Sequence, residues 1–344
     1  MTPHIAPSWQ KEPGARIAGS RPLDSAKLQA PGVARTPTGA FRLYYTAVGP
    51  AKPFPTCQGY ILSAVSEDGL TFRKEPGIRI APQPDVPHGS LRLLAPSIHQ
   101  YGDGRWRMYF ESRGPADKPP VICSAVSSDM LHWELEDGIR LQSAGGAGAP
   151  RYLPLPDGRA RLYCTTIDAG PGERKGTKGV ISAITNDGLH FELEPGYRLR
   201  AKQSTYDTRG ISAAEVIPPA GNNDQWTIVY SAWQDVEPGT VAPVHPSSDA
   251  NAVASGLSED FAAASIASDL AGYRSRIFVA HSDDGLVWGP GACVIAGGGH
   301  DAADIDAVHA EDMSVIKIGG NSYRMYYAAC DRDGNWRIAS AVTK

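Results

Sequence analysis

The sequence predicts an all-β fold, a five-bladed β-propeller built from four-stranded antiparallel blades. Two observations lead to this prediction. Strand-like segments recur in the same order along the 344-residue chain, and the strand that the last repeat lacks is found at the N-terminus. Glycine and proline are abundant, at 37 and 28 residues, as expected where many short strands need many turns. A repeated unit of several short strands is typical of a propeller blade.

The most regular segment is a short strand rich in tyrosine, and it occurs five times. Each copy follows a polar turn and has the aromatic and aliphatic residues that strands favour. The five copies occupy residues 42–47, 107–112, 161–166, 227–232 and 324–329. They predict the second strand of each blade.

The tyrosine strands are flanked by two further repeated segments. One precedes each of them, at 30–33, 95–98, 149–152, 213–216 and 312–315. The other follows, at 59–70, 121–131, 179–189, 277–286 and 337–344. Its first four copies end in a turn whose aspartate can cap the backbone, namely Asp68, Asp129, Asp187 and Asp284. An aromatic residue and a further strand follow each turn, which gives four strands per unit.

The last repeat ends after its third strand, and residues 8–18 supply the missing one. This stretch matches residues 71–81 almost position by position. We therefore expect the N-terminal strand to complete the last blade and close the ring, which removes an exposed sheet edge. The predicted single domain spans 1–344, with blades at about 24–82, 91–143, 147–201, 209–296, and 308–344 plus 5–20.

The fourth repeat is longer than the others because of an insertion at 235–275. Long loops at one end of a blade often serve as lids or binding loops, and they also occur as simple surface excursions. Both interpretations remain open for this segment.

Composition excludes several classes of function. The net charge is −4, and 42% of residues are hydrophobic and 20% charged, as in soluble globular proteins. No basic stripe predicts nucleic-acid binding, and no apolar run predicts a membrane span. The first twenty residues lack a signal-peptide pattern, and the five scattered cysteines are interpreted as mostly buried free thiols, so a cytoplasmic location is expected.

The five units, the proline-containing first strands and the Ser-x-Asp-Gly hairpins together resemble the propeller glycoside hydrolases of family 43 and its relatives in families 32, 68 and 130. The resemblance covers nearly the whole chain. It implies three carboxylates at the starts of the first strands of blades one to three: a general base, a pKa-tuning aspartate and a general acid. This sequence has Ala30, Ala95 and Gly148 at those places, so the standard mechanism does not transfer.

Other polar residues lie near the same blade ends and predict a site at the mouth of the central channel. The candidate catalytic acids are Glu111, Glu215, Glu311 and Asp312, and Glu215 with Asp312 is the pair expected for hydrolysis of a glycosidic bond. The candidate substrate-binding residues are Arg92, Arg151, Asp207, Arg209 and His309. An ion pair within the protein is the alternative interpretation for each acid taken alone.

The stretch 297–312 concentrates two histidines and five carboxylates. Such a loop can bind Ca²⁺ or another divalent ion, or it can be a solvated acidic loop; its spacing fits no metal motif, so no cofactor is expected. The predicted function is a glycoside-hydrolase-like enzyme acting by carboxylate acid/base chemistry on an oligosaccharide or sugar-like small molecule. The alternatives are a non-catalytic carbohydrate-binding propeller, or a lyase, isomerase or cyclase acting on a small metabolite.

Overall fold

The computed structural model describes residues 8–25, 27–48, 58–102, 104–115, 118–167, 178–200, 210–220, 225–234 and 274–343. Within these ranges the fold is all β, apart from one turn of 3-10 helix at Pro22–Asp24. No helix in them has the length and apolar composition needed to cross a bilayer. Most of the predicted insertion at 235–275, and the candidates Asp207 and Arg209, lie outside the described residues.

Twenty strands make up the described part of the chain. In chain order they are β1 (Trp9–Ala18), β2 (Lys27–Arg35), β3 (Phe41–Val48), β4 (Gly59–Ser66), β5 (Arg73–Lys74), β6 (Arg92–Gln100), β7 (Trp106–Arg113), β8 (Val121–Ser127), β9 (Glu134–Leu135), β10 (Gly148–Pro154), β11 (Ala160–Ile167), β12 (Lys178–Thr185), β13 (Glu192–Leu193), β14 (Gly210–Ile217), β15 (Trp226–Gln234), β16 (Arg274–Ser282), β17 (Ala292–Ile295), β18 (His309–Gly319), β19 (Ser322–Cys330) and β20 (Trp336–Thr343).

One antiparallel pairing pattern recurs along these strands. An inner strand pairs with a second strand, the second with a third, and the third with a fourth. The units are β2–β5, β6–β9, β10–β13, β14–β17, and β18–β20 with β1. Single parallel bridges join some neighbouring units, so that the hydrogen-bonded strands form two open sheets of twelve and eight strands.

The N-terminal strand pairs with the C-terminal one, as the repeat predicts. Trp9 lies opposite Thr343, and the pairing continues along β1 and β20 with one irregularity. Glu12 accepts two hydrogen bonds of 2.9 Å from Arg324 and one of 2.7 Å from Ser340. The two ends of the chain are therefore joined by a sheet and by a buried ion pair.

The same arginine–glutamate–serine arrangement recurs in three other units. In each, an arginine of the second strand forms a two-pronged ion pair with a glutamate that follows the fourth strand, and a serine of the third strand donates to the same carboxylate. The members are Arg42–Glu75–Ser63, Arg107–Glu136–Ser124 and Arg161–Glu194–Ser182. Fixed donors and paired charges of this kind allow charged groups to be buried within a blade.

Tyrosine hydroxyls of four units bind the hairpin turn of a neighbouring unit. The bonds run from Tyr44 to Met130, Tyr109 to Gly188, Tyr163 to Gly285, and Tyr326 to Gly69, each ending on a backbone carbonyl. All four tyrosines are almost fully buried. The repeated turns thus dock on the repeated tyrosine strands, which explains why these two segments recur together in the sequence.

The inner strands lie next to one another around a common centre. Strand β2 contacts β6 and β18, β10 contacts β6 and β14, and β14 also contacts β18. Apolar side chains fill the layers between neighbouring units; one cluster joins Leu43, Tyr45 and Leu62 to Tyr326 and Ile338. This packing brings the first residues of the inner strands together, and we call that edge the mouth.

Candidate active site

The mouth has one equivalent position on every inner strand, fixed by the register with the second strand. We call these the rim residues: Gln29, Leu94, Gly148, Ser212 and Glu311. Four of them lie opposite Thr46, Glu111, Thr165 and Ala328, and the Ser212 hydroxyl lies 2.5 Å from that of Ser231, the equivalent residue of β15. In the fourth unit Val216 lies opposite Ile228 as Val33 lies opposite Leu43, so Ala213 is the equivalent of Ala30 and Glu215 that of Gly32, as the sequence repeat predicts.

A bulge follows the rim residue on four of the five inner strands, and its first residue has a left-handed backbone. These residues are Ala30, Ala95, Ala149 and Asp312, with φ between 46° and 52°. A non-glycine residue in this region carries strain of about 1–2 kcal/mol, and such strain is concentrated at functional sites. Each bulge turns the backbone N–H of its left-handed residue away from the second strand of the same unit.

Three of these N–H groups donate to side chains of the neighbouring unit. Ala95 N donates to Thr46 Oγ1 at 3.0 Å, and Asp312 N donates to Ser231 Oγ at 3.2 Å. At the equivalent place Ala149 N donates to Glu111 Oε2, at 3.0 Å. Glu111 therefore replaces a hydroxyl that has a structural role elsewhere, and it adds a carboxylate at the mouth.

The Glu111 carboxylate lies directly above the rim residue of β10. An ideal Cβ atom on Gly148 would be 2.5 Å from Glu111 Oε2, so glycine is required to leave this space to the acid. Glu111 is 5% exposed, and its other oxygen is ion-paired with Arg113. Glu111 is the only acid at its place in the repeated second strand, and it thus reaches the rim residue of the next unit.

Glu311 is itself a rim residue. It is 4% exposed, and its Oε2 accepts a hydrogen bond of 2.5 Å from the Trp233 indole N–H. The next residue, Asp312, is partly exposed and has the left-handed backbone. Glu111 and Glu311 thus place carboxylates at the rim positions of β10 and β18, with Ser212 of β14 at the rim position of the intervening strand.

Glu215 lies deeper along its strand and is bound by groups of the protein. Its Oε2 is 3.2 Å from Arg151 Nε and accepts a hydrogen bond of 3.3 Å from Ser314 Oγ. Burial raises the pKa of Glu215, while the Arg151 charge and the hydrogen bonds from Ser314 and Val315 oppose this. The raised pKa is typical of general acids and also of buried structural carboxylates.

Arg151, predicted to bind substrate, is 3% exposed and spans the centre of the inner strands. Its Nη2 donates to the carbonyl oxygens of Pro31, at 3.1 Å, and Met313, at 2.9 Å. With Glu215 it connects four units through their inner strands. These contacts give the pair a structural role below the mouth.

Cationic and aromatic side chains lie two positions before the rim residues. Arg92 and His309, both predicted from the sequence, occupy this place on β6 and β18, and Lys27 occupies it on β2. His309 is buried, its Nδ1 is 3.0 Å from Ser275 Oγ, and its ring stacks on Trp336 at 5.5 Å. The Lys27 ammonium lies 4.2 Å from the centre of the Trp336 ring.

Sequence reasoning missed Lys27, Trp233 and Arg113. Lys27 could have been found by aligning the residues before each inner strand, whereas the other two are identified only by their contacts. In the described part of the chain no group of three or more histidine, cysteine, aspartate or glutamate side chains is arranged to hold a metal ion.

No family model and no curated protein matches this sequence. Solved structures do match it in fold. A glycoside hydrolase has a TM-score of 0.66 and 15% identity, covering 97% of this chain and 92% of its own. The β-1,2-mannobiose phosphorylase from Listeria innocua, solved with β-1,2-mannobiose, has a TM-score of 0.65 and 12% identity, covering 95% and 94%. A thermostable family-43 glycoside hydrolase has a TM-score of 0.60 and 14% identity, covering 93% and 90%. The chain shares the fold of these propeller-like proteins.

Proposed function

We propose that this protein is a carbohydrate-active enzyme that cleaves a glycosidic bond at the mouth, with Glu111 and Glu311 as its working carboxylates. The observation that carries the proposal is the position of the Glu111 carboxylate, which fills the space above Gly148. Family resemblance places a catalytic glutamate at residue 148, and here the neighbouring unit brings a carboxylate to that place. Glu311 supplies the second acid at the equivalent position of β18.

Glycosidic cleavage needs two carboxyl groups in different states of protonation. One protonates the leaving oxygen, and the other acts as a base on an incoming water or phosphate, or attacks the sugar itself. Both Glu111 and Glu311 are nearly buried, so each acts in a site where electrostatic interactions are strong. Their pairing with Arg113 and Trp233 holds the carboxylates in fixed orientations, which favours catalysis by preorganised groups.

This assignment differs from the pair Glu215 and Asp312 expected from the sequence. Glu215 is bound by Arg151 and Ser314 away from the rim, whereas Glu111 reaches the rim. Asp312 adjoins Glu311, and we propose that it assists in binding substrate hydroxyl groups, together with Arg92 and His309. Asp207 and Arg209 remain candidates outside the described residues.

We further infer that the five units form one closed five-bladed propeller. The supporting contacts are the tyrosine-to-turn bonds, which join units one to two, two to three, three to four, and five to one. The inner strands β14 and β18 are also in contact, which joins units four and five. In a closed ring, Arg151 and Glu215 would fill the centre below the mouth. Substrate would then reach the site only from the mouth.

A second candidate function is carbohydrate binding without catalysis. It is favoured by the alanines at positions 30 and 95, where the resemblance predicts a base and a pKa-tuning acid. In that case Glu111 and Glu311 would accept hydrogen bonds from sugar hydroxyl groups and no bond would break. The two candidates share a site and differ in turnover.

The deciding experiment measures sugar release from β-1,2-mannobiose, arabinobiose and sucrose, with and without inorganic phosphate. We expect turnover of one of them by the natural protein, and a loss of about a hundredfold or more in Glu111→Gln and Glu311→Gln. Glu134→Gln, which alters an exposed acid of β9, is the control and should keep full activity. Full activity in both test variants would refute the assignment; binding without turnover by the natural protein would favour the second candidate.

A further inference from the structure

The edge of the mouth between β15, β16 and β18 contains buried polar atoms that the protein itself does not satisfy. His300 is 8% exposed, and among the described residues neither of its ring nitrogens has a hydrogen-bond partner. Gln234 is 3% exposed, and its side-chain oxygen is also buried without a partner there. Buried polar groups are nearly always hydrogen-bonded, so two such side chains in one region need an explanation.

The fold brings these two side chains to the same place. Gln234 lies opposite Arg274 in the pairing of β15 with β16, and paired residues of neighbouring strands point to the same side of a sheet. Arg274 reaches the loop that carries His300, donating from Nη2 to Gly297 O at 2.8 Å. Gln234 and the loop that carries His300 therefore both adjoin Arg274.

The loop that carries His300 is held by backbone hydrogen bonds. Gly299 N donates to Ala307 O at 2.9 Å, and Ala302 N donates to Gly299 O at 3.0 Å, which closes a turn with His300 at its second position. Gly299 has φ of +92°, a conformation that favours glycine. His300 is thus presented by a fixed turn.

This region belongs to the mouth. Strand β16 bridges to β18 through Ser275 and His309, and Glu311 follows His309 by two residues on the same face of β18. The unpartnered atoms therefore lie at the same end of the strands as Glu311, and the Gln234 side chain points to the opposite face of β15 from Trp233, which binds Glu311.

We propose that His300 and Gln234 form a subsite that binds the hydroxyl groups of a sugar ring. A neutral imidazole offers one donor and one acceptor, and the Gln234 oxygen offers an acceptor, so the matching ligand must both donate and accept. Hydroxyl groups do both, whereas a carboxylate cannot donate to Gln234. This inference rests on the proposed function and adds to it a place at the mouth where the sugar ring is bound.

The electrostatic surroundings of His300 agree with a neutral ring. Burial lowers the pKa of His300, and the charges of Arg274 and His309 lower it further, against the opposing effect of Asp301. The ring thus keeps both a donor and an acceptor at neutral pH, as a pair of sugar hydroxyl groups requires.

The test compares the affinity of natural protein and variants for β-1,2-mannobiose, arabinobiose, sucrose, galacturonate and inorganic phosphate by calorimetry. For the neutral sugar that binds, His300→Phe should weaken binding about tenfold, and His300→Gln, which keeps a donor and an acceptor, should recover part of the loss. His99→Phe is the matched control, since His99 is a partly buried histidine at the other end of its inner strand, and it should bind as the natural protein does. Thermal unfolding of each variant checks that the fold is kept.

Four results would overturn the subsite. Unchanged affinity in His300→Phe, with turnover intact in the natural protein, would refute the subsite and leave the proposed function standing. Binding of galacturonate or phosphate, lost in His300→Phe, with no neutral sugar bound, would refute the hydroxyl ligand. Failure of every probe to bind the natural protein would count against both the subsite and the proposed function. A sugar-bound crystal structure in which only water contacts His300 would equally refute the subsite.

Discussion

Glu111 Oε2 occupies the space that a side chain on residue 148 would need, since an ideal Cβ atom there would lie 2.5 Å from it. The two residues belong to different units, on β7 and β10, and the contact exists because β10 packs against β7. The carboxylate is held in place by the Ala149 N–H and by Arg113. An acid absent from the expected strand is thereby supplied from the neighbouring one.

Gly148→Ala should displace Glu111 without straining the backbone. Gly148 does not have a left-handed φ, so the effect of the added methyl comes from its clash with the carboxylate. We expect turnover to fall at least tenfold and the free energy of unfolding to fall by about 1–3 kcal/mol, the usual cost of overpacking. Activity assays and urea unfolding measure the two effects. Gly319→Ala is the control, because nothing lies within 4 Å of its added Cβ; equal activity in the two variants would contradict the proposed role of Glu111.

The Glu215→Gln variant distinguishes the role of Glu215 from the roles of Glu111 and Glu311. Because Glu215 joins Arg151 to Ser314, the neutral amide should lower the free energy of unfolding by about 1–3 kcal/mol and leave turnover close to natural. Steady-state kinetics and urea unfolding on the same preparation test this. A stable but inactive variant would instead place Glu215 in the mechanism, as the sequence alone suggested.

Breaking the Arg42–Glu75 ion pair should destabilise the protein mainly because one charge would remain buried without its partner. Both residues are under 10% exposed, and Ser63 donates to the same carboxylate. Glu75→Ala should destabilise the protein by about 3 kcal/mol, because Arg42 would stay buried and unpaired. Replacing both partners, as Arg42→Met with Glu75→Leu, should cost less. A double variant as unstable as the single one would contradict this explanation in urea unfolding.

His99 should make the protein less stable in weak acid. Burial lowers its pKa to about 4, with a smaller contribution from Arg107, whereas the unfolded chain has a value of about 6.5. The folded state thus prefers the neutral ring, and its stabilisation is complete above pH 6.5 and lost as the pH falls towards 4. The loss should be on the order of 2–3 kcal/mol. His99→Phe should remove this part of the pH dependence; identical stability profiles for the two proteins between pH 7 and pH 4 would disprove the shift.

Replacing Glu12 tests whether strands β1 and β20 pair in solution. Its carboxylate binds Arg324 and Ser340, more than three hundred residues away in sequence. Glu12→Ala should reduce the free energy of unfolding by about 2 kcal/mol, whereas Glu67→Ala, at an exposed acid, should stay within about 0.5 kcal/mol. Equal effects of the two changes would mean that β1 does not pair with β20 in solution.

The repeat made much of this fold predictable. Tyrosine strands, hairpin turns and the N-terminal match to residues 71–81 identify the strands and their order, because similar residues pack each unit against its neighbours. The fourth inner strand was also aligned correctly, with Ala213 equivalent to Ala30, whereas the bulge that interrupts its pairing leaves no mark in the sequence.

The site was less predictable, because its contacts cross between units. Glu111 could be picked out as the acid among hydroxyl-bearing and small residues, but its approach to Gly148 depends on how β7 packs on β10. Arg151 is the fourth residue of its inner strand, close in sequence to the rim residue, yet its long side chain turns into the centre to bind Pro31 and Met313. His300 stood in an acidic loop whose backbone bonds, not its composition, bury the ring.

The central claim is that Glu111 and Glu311 flank the bond that breaks. The most direct measurement is a crystal structure of the Glu311→Gln variant soaked with the oligosaccharide that the natural protein cleaves. We expect the glycosidic oxygen at the mouth between residues 111 and 311, with a carboxyl separation of about 5–5.5 Å for a retaining reaction or about 6.5–9.5 Å for an inverting one. A sugar bound away from Glu111, with that carboxylate still bound to Arg113 and Ala149, would contradict the account.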